Sequence, residues 1–434
     1  MLESLNLVGC EQLTKLPDGI VNLSNLKHLR NDQCKTLERL PHGFGQWTKL
    51  ETLSVLIIGD KYSNIEELEN LNLLTGELRI ECWSHKKDLA TDAKRANLRS
   101  KRKLSSLTLL WTGSCFSRDR TSVETFPEVL VPPENLEVLE IDGYKGTKFP
   151  SWMMKSMEMM LLPNLVSLSL SNIHDCNCLP PLGHLPYLQS LQLRHITGVR
   201  NMGSEVPVKI NKSALYHSLK ELHFEDMPNL EIWSTSSTMD QKNNQSKSFM
   251  FPVLKTVTVT GCPKLRPTPY LPDAIADLQV TSSSEIILSS GESSSLASTS
   301  LLRRLWIKSC HVSSDEWTLL RQRPKLEDLV IEYCETLCVL PQAIRSLGSL
   351  RSLKILNCAE LEALPEWLGE LVTVESLEVS CCPKLVSLPK GLQRLTVLKE
   401  LTITGCSSVL SERCAKDTGR DWFKIRHVPC IVVS

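Results

Sequence analysis

Apolar residues recur along this chain in one fixed frame, with polar residues between them. Read from Leu2, the frame passes through Leu5, Leu7, Cys10, Leu13, Leu16, Pro17 and Ile20. It restarts at Leu26 and Leu50, and later at Leu302, Leu326, Leu350, Val374 and Leu398, every step within those two runs being 24 residues. Each restart reads L-x-x-L-x-L, an alternation that puts the leucines on one side of a strand and the polar residues on the other. The remainder of the period has to bring the chain back to the start of the next strand. One such unit cannot bury its own apolar side, so units must stack and share a core.

The frame is the signature of leucine-rich repeats. It predicts an α/β solenoid, a horseshoe of about sixteen units with a concave parallel sheet, spanning about 70–80 Å at the usual strand spacing. Outside the regular runs, strands are expected after Thr75, Leu104, Leu136, Leu165, Leu188, Leu219, Leu254 and Ile275. The solenoid is assigned to 1–410, with irregular inserted repeats at about 58–300. Residues 411–434 are expected to cap the last repeat, Trp422 and Ile425 covering its apolar end. Repeat two breaks its own rule by placing Asn31 at a core position. The serine-rich stretches Ser234–Ser248 and Ser282–Ser300 read as surface loops, too poor in apolar residues to offset the entropy of ordering. The basic stretch Lys86–Lys103 reads as a solvated convex helix with Leu89, Ala93 and Ala96 on one side, and Lys101 as a convex-side lysine. Its alternative reading is a nuclear-localisation or acid-binding segment.

Charge and cysteine narrow the function. Lys plus Arg and Asp plus Glu are 49 each, so no general attraction to nucleic acid or anionic membrane is expected. No apolar stretch is long enough to insert across a bilayer, and nothing after Met1 reads as a secretion signal. The expectation is a cytoplasmic protein, nuclear as well if the basic stretch is an import signal. Of 16 cysteines, Cys10, Cys34, Cys262, Cys310, Cys334, Cys358, Cys382 and Cys406 all fall eight residues after their repeat's opening residue. That position takes Asn or Cys in this repeat class. The eight are therefore expected to be buried, reduced and free of metal, their thiols serving the backbone that leaves each strand. The triplets beginning at Asn22, Asn211 and Asn244 read as chance matches to a glycosylation motif.

Catalytic patterns are missing from the sequence. No Gly-Lys dipeptide occurs, hence no P-loop; there is no H-E-x-x-H and no G-x-S-x-G. Gly43-Phe-Gly45 opens like a dinucleotide fingerprint, but Thr48 stands where the third glycine belongs. Glu225-Asp226 reads as a solvated rim. Neither enzyme activity nor a cofactor is expected. What remains is the concave sheet, where the third, fifth, seventh and eighth positions of each unit should face outward. In neighbouring units these positions form columns: Arg304 beside Asp328, Lys308 beside Glu332, and Trp306, Val330 and Lys354 in succession, with Tyr333 next to Glu332. Trp, Tyr and Arg among charged neighbours are the composition of a protein-binding hot spot. The expected contact surface is Arg304, Trp306, Lys308, Asp328, Glu332 and Tyr333. The competing reading is that these charges only neutralise each other across strands.

More specific motifs lie in the irregular half: Gly76-Glu-Leu-Arg-Ile80, Ala93-Lys-Arg-Ala-Asn-Leu98, Leu139-Glu-Ile-Asp-Gly-Tyr144, Phe149-Pro-Ser-Trp152, Cys178-Leu-Pro-Pro-Leu-Gly-His-Leu-Pro186, Met227-Pro-Asn-Leu230 before Trp233, and Gly261-Cys-Pro-Lys-Leu265. The tail adds Gly419-Arg-Asp-Trp422 and Lys424-Ile-Arg-His-Val-Pro429. In this order they resemble the leucine-rich-repeat region of plant nucleotide-binding disease-resistance proteins of the coiled-coil class. The resemblance implies intracellular sensing, with a pathogen effector, a guarded host protein or a nucleotide-binding module as the protein partner. No stretch here matches the coiled coil or the nucleotide-binding module, so nucleotide binding is not carried over. The expected function is a defence-related recognition module; the alternative is a free-standing repeat scaffold or adaptor. A ubiquitin-ligase substrate receptor would need an adaptor-binding helical motif that the sequence lacks.

Overall fold

A computed structural model describes residues 2–59, 62–83, 89–112, 120–154, 161–203, 215–235, 250–268, 271–282, 300–311, 317–321 and 323–434. The chain divides into two compact units, Met1–Asn211 with Leu215–Leu219, and Lys212–Ala214 with Lys220–Ser434. Both are leucine-rich-repeat solenoid built on parallel strands.

In the first unit β1 (Ser4–Asn6), β2 (His28–Arg30) and β3 (Thr52–Leu53) form a small sheet. A longer run pairs β4 (Val55–Ile58), β5 (Thr75–Cys82), β6 (Lys103–Trp111), β7 (Val138–Asp142), β8 (Ser167–Ser171) and β9 (Ser190–Arg194) in chain order. The short β10 is Asn201–Met202. In the second unit the run is β11 (Glu221–Glu225), β13 (Thr256–Thr260), β15 (Asp277–Thr281), β16 (Arg304–Lys308), β17 (Asp328–Glu332), β18 (Ser352–Leu356), β19 (Ser376–Ser380), β20 (Glu400–Thr404) and β21 (Cys430–Val433). Beside it β12 (Ile232–Ser234) pairs with β14 (Arg266–Thr268). All eight strands expected in the irregular region are present. The serine-rich loops and two of the glycosylation-like triplets fall mainly outside the described residues, although Ser234 belongs to β12 rather than to a loop.

The alternation does what the pattern requires. In β17 Leu329 and Ile331 are buried while Asp328, Val330 and Glu332 stay partly open. The return segments are single 3₁₀ turns, since 24 residues leave no room for a long helix. Asp18–Asn22, Gln342–Ser346, Glu366–Glu370 and Lys390–Arg394 each start behind the proline of the Leu-Pro pair, whose fixed φ and missing N–H suit a helical first turn.

A column of left-handed residues closes the strands from β7 to β9 and the main run of the second unit from β11 to β20. Asn172, His195, Asp226, Ser282, Ser309, Tyr333, Asn357 and Cys381 have φ between 46° and 56°, and Gly143, Gly261 and Gly405 sit at the same eighth position. The N–H there continues the ladder, Tyr333 donating to Leu356 O at 3.0 Å and Cys381 to Thr404 O at 2.8 Å. The left-handed turn then swings the ninth residue inward. After Gly261 and in the 24-residue repeats that residue is the framed cysteine: Cys310 Sγ donates to Lys308 O at 3.3 Å and Val280 O at 3.7 Å, and Cys34 to Leu7 O at 3.0 Å. The expected burial holds inside the runs, where Cys34, Cys262, Cys310, Cys334, Cys358 and Cys382 are buried. It fails at Cys10, which is exposed, and at Cys406, which is half-exposed. Each lies toward one end of its run, with fewer stacked repeats to cover the thiol.

Asn31 explains its own exception. Its Nδ2 donates to Val55 O at 2.8 Å and its Oδ1 accepts from Val55 N at 3.0 Å. The side chain thus replaces a neighbouring strand at the point where the small sheet ends and β4 begins. A second expectation fails nearby. The helix Leu89–Ala96 does bury Leu89, Ala93 and Ala96, but Lys101 is fully buried rather than solvated. Its ammonium donates to Asn72 Oδ1 at 3.0 Å and Glu69 O at 3.3 Å, and burial pushes its pKa down to about 8.

The irregular repeats fill their larger interior with aromatics. Trp111 meets Tyr144 edge-on at 5.7 Å, Tyr144 lies against Phe149, and Trp152 Nε1 donates to Pro127 O at 3.0 Å. Trp233 sits edge-on to both Phe224 and Phe251 at 5.6 Å.

In 411–434, Asp421 is buried; it takes Arg413 in a two-pronged pair at 2.9 Å, Lys424 at 2.7 Å and the Leu388 N–H at 3.1 Å. Ile425 is buried and Trp422 half-buried, and β21 adds a strand to β20 that the sequence reading left unassigned.

Candidate protein-interaction surface

The six residues singled out from sequence stand on β16 and β17 or one residue beyond, in the expected register: Arg304 opposite Asp328, Trp306 opposite Val330, Lys308 opposite Glu332. Their side chains share the open face because Leu305, Ile307, Leu329 and Ile331 take the core face. Tyr333 reaches this face through the left-handed turn, with φ 53°.

Four of the six form one cluster. Lys308 pairs with Glu332 at 3.6 Å, and Trp306 Nε1 donates to the same carboxylate at 3.1 Å. The Lys308 ammonium lies 5.2 Å from the Tyr333 ring centre and 6.0 Å from that of Trp306. Glu332 is thereby mostly covered, its side chain 13% exposed, while Trp306 and Tyr333 remain 40% and 46% exposed. Large aromatic rings held in place by a charged pair, yet left open, are primed to bury area at low cost in side-chain entropy.

The other two behave differently from their column neighbours. Arg304 turns away from Asp328 and forks onto Asp277 of the preceding strand, with Nη2 to Oδ2 at 2.8 Å. That hydrogen bond, and then the attraction of the Asp277 charge, raises the Arg304 pKa. Asp328 has no hydrogen-bond or ion-pair partner among the described residues. Beside them a groove of about 530 Å³ is lined by Thr256, Thr258, Gln279, Trp306, Val330 and Lys354, among others, so strands β13, β15, β16, β17 and β18 all contribute. Sequence reasoning missed the groove and the pairing with Asp277, because β15 follows an irregular step and its third position was not set beside Arg304.

The Gly43-Phe-Gly45 motif is structural. The N–H groups of Gly43 and Gly45 both donate to the Glu67 carboxylate, at 2.9 and 2.8 Å, so this stretch is spent on the next repeat rather than on a phosphate. Among the described residues no helix is long and apolar enough to cross a membrane.

Residues 65–196 match the family described as R13L1/DRL21 LRRs. The chain is 33% identical over 222 residues to disease resistance protein RGA2 of Solanum bulbocastanum, covering 51% of this chain and 22% of that protein. It is 31% identical over 229 residues to a putative disease resistance RPP13-like protein 1 of Arabidopsis thaliana, covering 49% and 20%. The leucine-rich repeats of this chain are similar to those of plant disease-resistance proteins. The chain spans about a fifth of the length of these relatives. A Leptospira interrogans LRR protein aligns over 99% of this chain and 95% of its own, at 18% identity and a TM-score of 0.47. The motifs that made the disease-resistance resemblance specific are core residues: Tyr144, Phe149, Trp152, Met227, Leu230, Trp233 and Leu265 are all buried. These motif residues therefore serve the packing of the repeat interior.

Proposed function

We propose that this chain is the recognition part of a plant defence receptor and that it binds a protein through the open face of β16 and β17. The observation that carries the reading is the Trp306–Glu332–Lys308–Tyr333 cluster: two exposed aromatic rings fixed by one ion pair on regular, rigid strands. Paired charges that merely neutralised one another would not need aromatic rings around them, nor leave those rings open. The partner is a pathogen effector, a guarded host protein or a nucleotide-binding module, each met in cytoplasm or nucleus. Recognition, not catalysis, is the task, and no cofactor enters it.

Kinship with resistance proteins favours this reading over a scaffold that joins signalling proteins without sensing. The test is a defence-response assay in plant tissue with Trp306→Ala and Glu332→Lys, each first shown to melt like the wild type. Loss of the response in both, with retention in Lys94→Glu on the helix Leu89–Ala96, is the expected result. An unchanged response in both variants would assign recognition to another surface.

A further inference from the structure

The groove beside the aromatic cluster has an unbalanced charge, and this says what kind of side chain it fits. Of the ionic residues lining it, Arg304 is taken by Asp277 and Lys354 pairs with Glu378 at 2.9 Å. Lys308, at its margin, is answered by Glu332. Asp328 alone is left over, half-exposed, between Arg304 and Ser352 in its column and one strand from Trp306. The remaining lining is neutral: Thr256, Thr258, Gln279, Val330 and Ser352.

We propose that this groove receives a basic side chain of the partner, arginine in preference to lysine, with Asp328 as its counter-charge and the exposed Trp306 ring as the surface it stacks on. A planar guanidinium meets both needs at once: its fork suits a carboxylate and its faces suit an indole. An ammonium matches the charge but stacks less well. Because the native cations of the groove are bonded to Asp277 and Glu378, neither forms an ion pair with Asp328. The neutral hydroxyl and amide groups can accept the guanidinium N–H groups that Asp328 does not reach. An acidic partner segment finds no free cation here, so the groove also discriminates by sign. This inference rests on the recognition reading of the same face and narrows its partner to one presenting an exposed arginine.

The experiment uses the full chain and blocked Gly-Arg-Gly peptides, with Gly-citrulline-Gly and Gly-Lys-Gly as comparisons, followed by isothermal titration. Arginine peptide binding that weakens with salt, by about tenfold or more in Asp328→Asn and in Trp306→Ala, is expected, with citrulline binding correspondingly weak. Asp328→Asn should melt close to the wild type, since among the described residues Asp328 makes no hydrogen bond or ion pair and adds only the smallest of the contributions that raise the Arg304 pKa. Equal affinity for arginine and citrulline, no binding of the arginine peptide, or unchanged affinity in Asp328→Asn would each overturn the proposal. If that happened while Trp306→Ala still abolished the defence response, the recognition face would stand and only its arginine preference would fall.

Discussion

The Asn31 carboxamide bonds both ways to the Val55 backbone, donating at 2.8 Å and accepting at 3.0 Å, and so stands in for a strand that is not there. The sequence frame flags Asn31 as an error in the core pattern; the structure makes it the piece that closes a break in the ladder. Asn31→Leu restores the apolar pattern but strands two backbone groups of Val55 in a partly buried place. We expect a loss of about 2 kcal/mol in urea unfolding, since an unmade buried hydrogen bond costs more than a made one returns. A stability equal to or above wild type would mean that Val55 finds water instead.

The left-handed column makes a prediction of opposite sign. Cys381 adopts φ 56° and is exposed, so its side chain bears the strain of that region without packing in return. Cys381→Gly should stabilise the second unit by about 0.5–1 kcal/mol, whereas Gly405→Ala should destabilise it by a similar amount. The added methyl would also come within 3.1 Å of Cys381 Sγ. Thermal melts of the two variants check both signs.

Thiol chemistry should divide the ladder by position. Burial pushes the Cys262 and Cys334 thiols up to about 12, so they should resist alkylation in the native protein. Cys406 goes the other way, drawn below the usual thiol range because Cys382 shares a hydrogen bond with it; the same contact raises Cys382. Site-resolved iodoacetamide labelling should find Cys406 reacting well ahead of the buried thiols, alongside exposed Cys10, Cys338 and Cys430. Prompt native labelling of Cys262 or Cys334 would contradict the assignment.

Asp421 predicts a pH dependence. Burial alone would raise its pKa, but hydrogen bonds from Arg413, Lys424 and the Leu388 N–H outweigh that and hold it below the ordinary 3.8. A carboxylate depressed on folding contributes stability that is complete above its unfolded pKa and is lost as pH falls through the folded one. Asp421→Asn should therefore cost about 3 kcal/mol near neutrality, from leaving Lys424 buried without its partner. The gap between variant and wild type should narrow below about pH 4. A gap independent of pH would show that packing, not charge, holds 411–434 to the repeat at Leu388.

Legibility of the fold and the site followed the size of the repeat. Where the period stays at 24, register came out correctly down to Arg304 opposite Asp328, because stacked identical units leave one alignment that keeps every leucine inside. Strand positions in the irregular half were also readable, since Leu136, Leu165 and Leu188 keep the short local motif. What the pattern could not carry was side-chain choice between two neighbours. Arg304 had an acid on each side and took Asp277, and no period encodes that preference. Lys101 was misjudged for the same reason: a basic run looks solvated until a long side chain finds Asn72 Oδ1 and Glu69 O beneath the surface.

The central claim is that the β16–β17 face is where a partner binds, and affinity measured across three variants tests it most directly. Proteins captured from plant or pathogen extract on the wild-type chain are identified, and the dissociation constant of the leading partner is then measured for Trp306→Ala, Glu332→Lys and Lys94→Glu. The account predicts about 30-fold weaker binding for Trp306→Ala, the scale of an aromatic hot spot, a comparable loss for Glu332→Lys, and no change for Lys94→Glu. Wild-type affinity in both face variants, with all three proteins equally folded, would contradict it.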